Sequence, residues 1–161
     1  MKVVDIADEI YRELASPVDL SISVIAFWIR TNIGELNNLL YSNFVLDVPS
    51  LEIKDENGAE IPPEAVAVLK KIYYIHNFDL EIKKHILSIA SDSILEVTDQ
   101  GSSIKRINKN EVTKTLGSLR RQEYRALMKL TSAYGIRKSA PRQVTEGGSV
   151  GGSLGQDVIE N

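Results

Sequence analysis

The stretch from Pro62 to Ser93 restricts the possible folds of this 161-residue chain more than any other segment. It begins with Pro62–Glu64, a pattern typical of helix starts, and continues without glycine or proline to the polar cluster Ser91–Ser93. Apolar residues recur in steps of three and four along two neighbouring faces. A helix that is apolar over two faces needs cover on both sides, from its own chain or from another copy. At ~1.5 Å per residue, we expect a rod of about 45 Å.

Helical spacing of apolar residues predicts three further helices. They lie near residues 3–14, 22–41 and 109–134, with the long central helix near 63–91. Ser21 or Ser23 can cap the second helix, and Gly135 can end the last one in a left-handed conformation. The expected fold is therefore mainly α: a four-helix subunit with two long helices, one β-hairpin and an extended C-terminal tail.

Apolar residues on either side of Asp99–Ser103 predict a β-hairpin near residues 94–107, the one strong strand signal in the sequence. In the connector before the central helix, Leu51 and Ile53 alternate with polar neighbours, which allows a short strand or an extended arm. The end of the sequence is rich in glycine. We therefore expect a helical domain over residues 1–135 and a flexible, Gly-rich arm over residues 136–161.

The composition argues against several kinds of site. The chain has no cysteine, so disulfides and thiolate metal sites are excluded, and His76 and His85 are too far apart on a helix to share a metal. The N-terminus lacks a secretory signal pattern, and no apolar run approaches the length of a membrane span. No phosphate-binding glycine loop or catalytic constellation is recognisable. We expect no enzyme activity, no cofactor, no metal and no membrane contact.

Charge is distributed unevenly along the sequence. Residues 1–100 contain 8 Lys and Arg against 17 Asp and Glu, a net charge of −9, whereas residues 101–161 contain 11 against 5, a net charge of +6. Such polarity suits head-to-tail packing of identical subunits, or a basic segment that meets an acidic partner or nucleic acid. Two solvated faces would give the same pattern.

A basic face on the last predicted helix is the strongest electrostatic feature. We define it by the four residues Lys114, Arg121, Arg125 and Lys129, which lie opposite the apolar seam of that helix. Further cations follow at Arg137, Lys138 and Arg142. We expect the basic face to meet acids of a neighbouring subunit; contact with DNA phosphates or plain solvation are the alternatives.

The second predicted helix carries an unusual row on the side away from its apolar face. One aromatic residue is followed by small or polar ones at helical spacing; this Phe27 row consists of Phe27, Thr31, Gly34 and Asn38. Either a loop shields the phenylalanine, or the row forms a groove in which a helix of a second subunit docks. We regard the row as a candidate subunit interface.

Two acidic residues interrupt otherwise apolar seams. Asp79 lies on the central helix and Glu123 on the last one. A pair of buried carboxylates could perform acid–base chemistry, but such residues more often pair with a cation or fix helix register. We predict that both are buried polar residues with a cationic or hydrogen-bonding partner, either Lys83 or a His or Arg from another helix.

Several segments resemble small structural proteins of tailed bacteriophages. The resemblance covers residues 5–40 (DIADEIYRELASPVDLSISVIAFWIRTNIGELNNLL), 91–97 (SDSILEV), 104–115 (IKRINKNEVTKT) and 120–123 (RRQE). The similar proteins are neck or head-completion proteins, that is head–tail connectors or adaptors, of myovirus-like phages, including those of cyanobacteria and marine hosts. The resemblance does not extend into the glycine-rich end of the chain.

This resemblance implies a helical structural protein of the virion, assembled in the host cytoplasm and located in the neck between capsid and tail. It implies a ring of about twelve copies that binds the portal protein and offers a platform for the tail. Genomic DNA would pass through the lumen without sequence-specific binding. Phage connectors often hold the portal with terminal tails, so residues 136–161 are a candidate arm. With this resemblance, the Phe27 row, the basic face and the further cations Arg137, Lys138 and Arg142 are candidate contacts with a neighbouring subunit or with the portal.

Two alternatives remain open at this stage. The chain could be a nucleic-acid-binding helical module that uses its last helix for recognition, although the basic face lacks exposed, base-reading Asn or Gln beside its arginines. It could also be a different neck component, such as a tail-completion protein. Those proteins are usually richer in β-structure than this pattern allows.

Overall fold

The computed structural model describes residues 1–91 and 109–140, and within these ranges the protein is mainly α, as predicted. The helices are α1 (Val3–Glu13), α2 (Ile22–Leu40), α3 (Pro63–Ser91) and α4 (Lys109–Ser139). Two short strands, β1 (Val45–Asp47) and β2 (Glu52–Lys54), form an antiparallel hairpin in which Leu46 pairs with Ile53. This hairpin occupies the connector where the sequence allowed a short strand. The hairpin predicted near residues 94–107 lies outside the described residues.

The ends of the first two helices follow local chemistry. Ser21 is the N-cap of α2, and its hydroxyl accepts a hydrogen bond from the Val24 amide at 3.4 Å. Tyr41 ends the same helix in the left-handed region, with φ 48°. The start of α1 is fixed by the hairpin, because the Val3 amide donates to the Leu51 carbonyl at 2.9 Å. The N-terminal helices and the hairpin therefore form one connected unit.

The prediction that the last helix ends near Tyr134 is wrong. Helix α4 continues through Gly135 to Ser139, and Gly135 does not adopt the left-handed conformation expected of a cap. Tertiary contacts hold the extra turn, since Arg137 forms an ion pair with Glu64 and the Lys138 ammonium donates to the Tyr41 carbonyl at 3.1 Å. Residues 136–139, which the sequence analysis assigned to the flexible arm, belong to α4.

The hydrophobic core lies between α1, α2 and the first half of α3. Fully buried isoleucines from the first two helices, such as Ile10 and Ile29, pack with Val68 and Leu69 of α3. The hairpin contributes Ile53, and α4 contributes few buried residues. Beyond Tyr73, no side chain of α3 that the structure describes is buried. The core is thus concentrated at one end of the long helices.

Helices α3 and α4 pack against each other in antiparallel orientation. Three ion pairs connect them: Glu64 with Arg137, Lys71 with Glu123, and Asp79 with Arg120. Residue numbers rise along α3 while those of the partners fall along α4, which defines the direction. The two long helices anticipated from the sequence are therefore partners of one another over much of their length.

Candidate interaction surfaces

The two seam acids both have the cationic partners that the sequence predicted. The Asp79 carboxylate faces Arg120, whose Nη2 donates to Oδ2 at 3.3 Å. The buried Arg120 Nε lies 2.5 Å from Oδ1 but lacks hydrogen-bond geometry. Glu123 Oε2 lies 2.6 Å from Lys71 Nζ. The partner of Asp79 is thus an arginine from another helix and not Lys83.

The prediction that these acids are buried is wrong. The side chain of Asp79 is 37% exposed and that of Glu123 is 27% exposed. The α3–α4 contact is one helix wide on each side, so water reaches the edge of the seam where both carboxylates lie. Their placement across the contact indicates a role in fixing how the two helices pack, because each carboxylate is already engaged by a cation.

A polar network between α1 and α3 was not predicted from the sequence. Lys70 Nζ lies 2.6 Å from Glu9 Oε2 and 2.8 Å from Glu13 Oε1, and the Tyr74 hydroxyl donates a short hydrogen bond to Glu13. Hydrogen bonds from Lys70 and Tyr74 hold the pKa of Glu13 below its ordinary value. Burial, together with the bond to Glu13, raises the pKa of Tyr74. The available signal was the spacing of Glu9 and Glu13, one turn apart on α1.

An aromatic cluster joins α2 to α3. The Trp28 ring meets Tyr73 edge-on at 5.1 Å between centroids and stacks on His76 at 5.3 Å. Burial lowers the pKa of His76, which favours the neutral imidazole in this packing position. Among residues 1–91 and 109–140, no group of three or more acidic or histidine side chains could hold a metal ion.

The Phe27 row is exposed along its whole length. Phe27 keeps 65% of its surface in solvent, and no described loop shields it, in contrast to the first of the two interpretations. Thr31 donates to the Trp28 carbonyl of its own helix at 2.9 Å. A Cβ added at Gly34 would meet nothing within 4 Å. Together with Asn38, these residues present a shallow surface that another helix could approach closely.

The basic face of α4 is exposed as predicted. All four of its residues, Lys114, Arg121, Arg125 and Lys129, point away from the buried Leu127 on the opposite side of the helix. Within the described parts of the chain, no carboxylate lies within 4.0 Å of any of these four cations. Their charges are therefore available to a partner.

The remaining predicted cations behave differently. Arg137 is engaged by Glu64, and Lys138 Nζ donates to the Tyr41 carbonyl and lies 3.4 Å from the Ser42 hydroxyl oxygen. These two residues fasten the end of α4 to the start of α3 and the end of α2. The structure thus separates them from the basic face. Arg142 lies outside the described residues.

An exposed amide side chain lies beside the basic face, contrary to the expectation from the sequence. Gln122 is exposed on α4, three residues before Arg125 and seven before Lys129, so it shares one edge of the basic face. The exposed face also includes Tyr124, with 51% of its surface in solvent. The premise that no exposed amide side chain stands beside the arginines is therefore wrong.

Apolar side chains remain exposed along the second half of α3. Leu80 is 41% exposed, Ile86 51% and Leu87 71%, and Leu119 of α4 is 40% exposed. These residues lie beyond the end of the core. Leu80 and Leu87 are seven residues apart and share one face of α3, where they form an apolar patch; Ile86 lies on another face of the helix.

Two shallow clefts adjoin the start of α3. One, of about 420 Å³, lies between Glu9, Glu60 and Lys70, and the other, of about 300 Å³, lies between Glu64, Tyr134 and other residues of α4. Both clefts have Ala67 in their walls. The charged residues that line them are engaged with one another, as described for Lys70 and Glu9.

No helix in the described ranges is long and apolar enough to cross a membrane. No protein-family model, curated protein or solved structure matches the chain. The functional interpretation therefore depends on the geometry of the exposed surfaces and on the phage resemblance of the sequence.

Proposed function

We propose that this chain is a structural virion protein, which forms a ring of about twelve copies at the neck of a tailed bacteriophage. The ring joins the portal vertex to the tail and extends the DNA channel, without enzyme activity and without a cofactor. In this proposal the protein assembles in the host cytoplasm and binds itself, the portal protein and a tail component.

The observation that carries the proposal is the exposed apolar patch at the far end of the α3–α4 pair. Leu80 and Leu87 share one face of α3 and keep 41% and 71% of their surface in solvent. Apolar patches of this kind typically mark contacts with another protein. A two-helix extension that carries such a patch suits a subunit whose surface is completed by its neighbours in a ring.

The other exposed surfaces agree with a subunit that has several neighbours. The Phe27 row on α2 and the basic face on α4 lie on different helices, so one subunit can offer different faces to two partners. Contacts between unlike faces generate closed rings when the rotation between subunits closes. In the proposed ring, DNA passes through the lumen without sequence-specific binding.

The test is reconstitution with the portal protein encoded in the same genome. We expect purified chain and portal to form a complex with an additional ring beneath the portal, visible by electron microscopy. Leu87→Lys should weaken this complex, whereas Val18→Lys, which changes a 99% exposed valine in the loop between α1 and α2, should not. Absence of binding to the portal, and absence of the chain from purified virions, would contradict the proposal.

Nucleic-acid binding remains a second candidate because of one observation. The basic face has four cations without carboxylate partners in the described residues, and Gln122 stands at its edge. A salt titration of binding to double-stranded DNA separates the two functions, since phosphate contacts produce a steep loss of affinity with increasing salt. Binding to double-stranded DNA that weakens steeply with increasing salt would favour the second candidate.

A further inference from the structure

The fold divides charge between the body of the protein and one helix. Residues 1–91 contain 8 Lys and Arg against 14 Asp and Glu, a net charge of −6. Helix α4 (Lys109–Ser139) contains 8 against 2, a net charge of +6. Because α4 packs on α3, one side of the molecule is strongly basic while the remainder is acidic.

Internal ion pairs use only part of this complementarity. Within α4, Arg120 and Arg137 reach carboxylates of α3, but the four cations of the basic face have none among the described residues. Helix α1 shows the converse. Asp5 is exposed without an ion pair in the described chain, and Asp8 has only Arg12 of its own helix, at 2.8 Å.

We propose that the basic face of α4 binds the outward face of α1 on a second copy of the chain, with Asp5 and Asp8 as its acidic partners. The inference rests on the proposed function, because it specifies the contact between neighbours in the ring. The two faces belong to different helices, so the contact is head to tail. Each subunit uses its α4 on one neighbour and its α1 on the other.

The spacing of the charges fits this contact. Arg121, Arg125 and Lys129 follow one another at four-residue steps, which corresponds to about 6 Å along a helix. Asp5 and Asp8 are three residues apart on α1, which corresponds to about 4.5 Å along that helix. Two helices that cross at a shallow angle can therefore bring two pairs of opposite charges together at once. Electrostatic complementarity of this type mainly fixes orientation and accelerates association.

A second copy is a better partner than nucleic acid for one physical reason. A polyanion that approached α4 would also experience the −6 charge of the body, and the whole chain has a net charge of −3. A second copy presents its acidic side to the basic face and keeps its own basic face free for the next subunit. Like-charged surfaces then remain apart.

The test is a charge swap between two variants. Arg121→Glu/Arg125→Glu makes the basic face acidic, and Asp5→Lys/Asp8→Lys makes the acidic face basic. We expect each variant alone to associate at least about tenfold more weakly than wild type, because like charges would then face each other. An equimolar mixture should recover oligomers in which the two variants alternate. Sedimentation velocity at low and high salt measures the size of the assemblies.

Matched controls keep the result specific. Arg30→Glu/Lys83→Glu changes two exposed cations elsewhere by the same total charge and should associate like wild type. Circular dichroism melts verify that all variants fold; if the lysine variant does not, Asp5→Asn/Asp8→Asn replaces it and should weaken association to a smaller degree.

Three results would overturn the inference. They are a wild-type chain that stays monomeric, a mixture that does not recover assembly, and a basic-face variant that associates normally but loses binding to double-stranded DNA. None of these decides the neck role, which is judged separately by portal binding. A chain that binds the portal and forms rings insensitive to both reversals would retain the proposed function and refute this contact.

Discussion

At the scale of single residues, the seam acids show what a sequence can and cannot reveal. An unpaired carboxylate among apolar side chains is costly, so the need for cationic partners at Asp79 and Glu123 could be predicted. Their exposure could not, because it depends on how many elements surround the α3–α4 contact. The sequence pattern indicates a seam, but it does not indicate the distance from that seam to water.

The Asp79–Arg120 pair should contribute measurably to stability. We expect Asp79→Ala and Arg120→Ala each to lower the free energy of unfolding by about 1 kcal/mol, with a coupling energy of about 0.5–1 kcal/mol in the double-mutant cycle. Urea denaturation of the four proteins measures it. Asp8→Ala, which removes an exposed pair within α1, is the control and should cost about 0.3–0.5 kcal/mol. A coupling energy of zero would mean that the two side chains do not interact.

The bond between Tyr74 and Glu13 leads to a pH-dependent prediction. Folding lowers the pKa of Glu13 from its ordinary value of 4.5. The corresponding stability is therefore fully present above that value and is lost as the pH falls through the lowered pKa of the folded state. Tyr74→Phe removes one of the two donors that lower this pKa. The variant should be less stable by about 0.5–1 kcal/mol at pH 7, and the difference should shrink towards pH 3.

Thermal or urea unfolding of the Tyr74→Phe variant at several pH values measures the effect. Tyr124→Phe is the matched control, because this tyrosine is 51% exposed and should show no pH-dependent difference. An equal loss of stability at pH 7 and pH 3 would indicate that Tyr74 acts through packing alone.

At the scale of elements, helical periodicity was sufficient to place all four helices. The end of α4 was not predictable, because Gly135 has the composition of a cap but is held in the helix by contacts of the following turn with α2 and α3. The position of the observed hairpin was also not predictable, because the strand signal near residues 94–107 is stronger than the signal in the connector where β1 and β2 lie. Its strands are only three residues each, too short for a clear alternating pattern, and the backbone of the first residues supports them.

The continuation of α4 through Gly135 can be tested by a single substitution. Glycine in a helix interior costs about 0.5–1 kcal/mol relative to alanine, and a Cβ at this position would meet nothing within 4 Å. Gly135→Ala should therefore increase the free energy of unfolding by about that amount. If α4 ended with Gly135 in the left-handed region, the same change would instead be destabilising, and chemical denaturation distinguishes the two signs.

A substitution at Gly34, in the Phe27 row, can distinguish an effect on the stability of the subunit from an effect on its assembly. Gly34→Ala should stabilise the isolated subunit by about 0.5–1 kcal/mol, because Gly34 is helical and has open space around its Cα. If a helix of a neighbour docks there, the added methyl group should weaken association in sedimentation experiments. Gly117→Ala is the control, since that glycine of α4 is also helical and unobstructed. Association unchanged in both variants would remove the Phe27 row from the candidate interfaces.

At the scale of the whole molecule, the sequence predicted a central helix that is apolar over two faces. It did not predict which parts of that helix other elements would cover. The first half of α3 is covered by α1, α2 and α4, whereas the described part of the second half retains exposed apolar residues. That difference arises because α1 and α2 are shorter than the two long helices. Helix lengths that are read from a sequence show which part of α3 is covered only when the direction of each helix is known.

Substitution of Leu87 tests whether the apolar patch on α3 is a contact surface for another protein. Because 71% of its surface is exposed, Leu87→Ser should change the free energy of unfolding by no more than about 0.5 kcal/mol, while it should weaken self-association or portal binding. Val18→Ser, at a 99% exposed position, is the control for the general loss of surface hydrophobicity. Equal association of both variants and wild type would show that the apolar patch is not an interface.

The three ion pairs between α3 and α4 also determine how a force could travel through the molecule. If α4 slipped along α3 by one turn, Lys71 would face Leu127 or Leu119 in place of Glu123, and Asp79 would face Leu116 or Tyr124 in place of Arg120. A slip in either direction thus leaves charges opposite apolar side chains. A one-turn shift of the kind that some switching helices make would therefore break these ion pairs. The ion pairs thus favour one register of α4 on α3 and oppose sliding when a load is applied at the far end of the two helices.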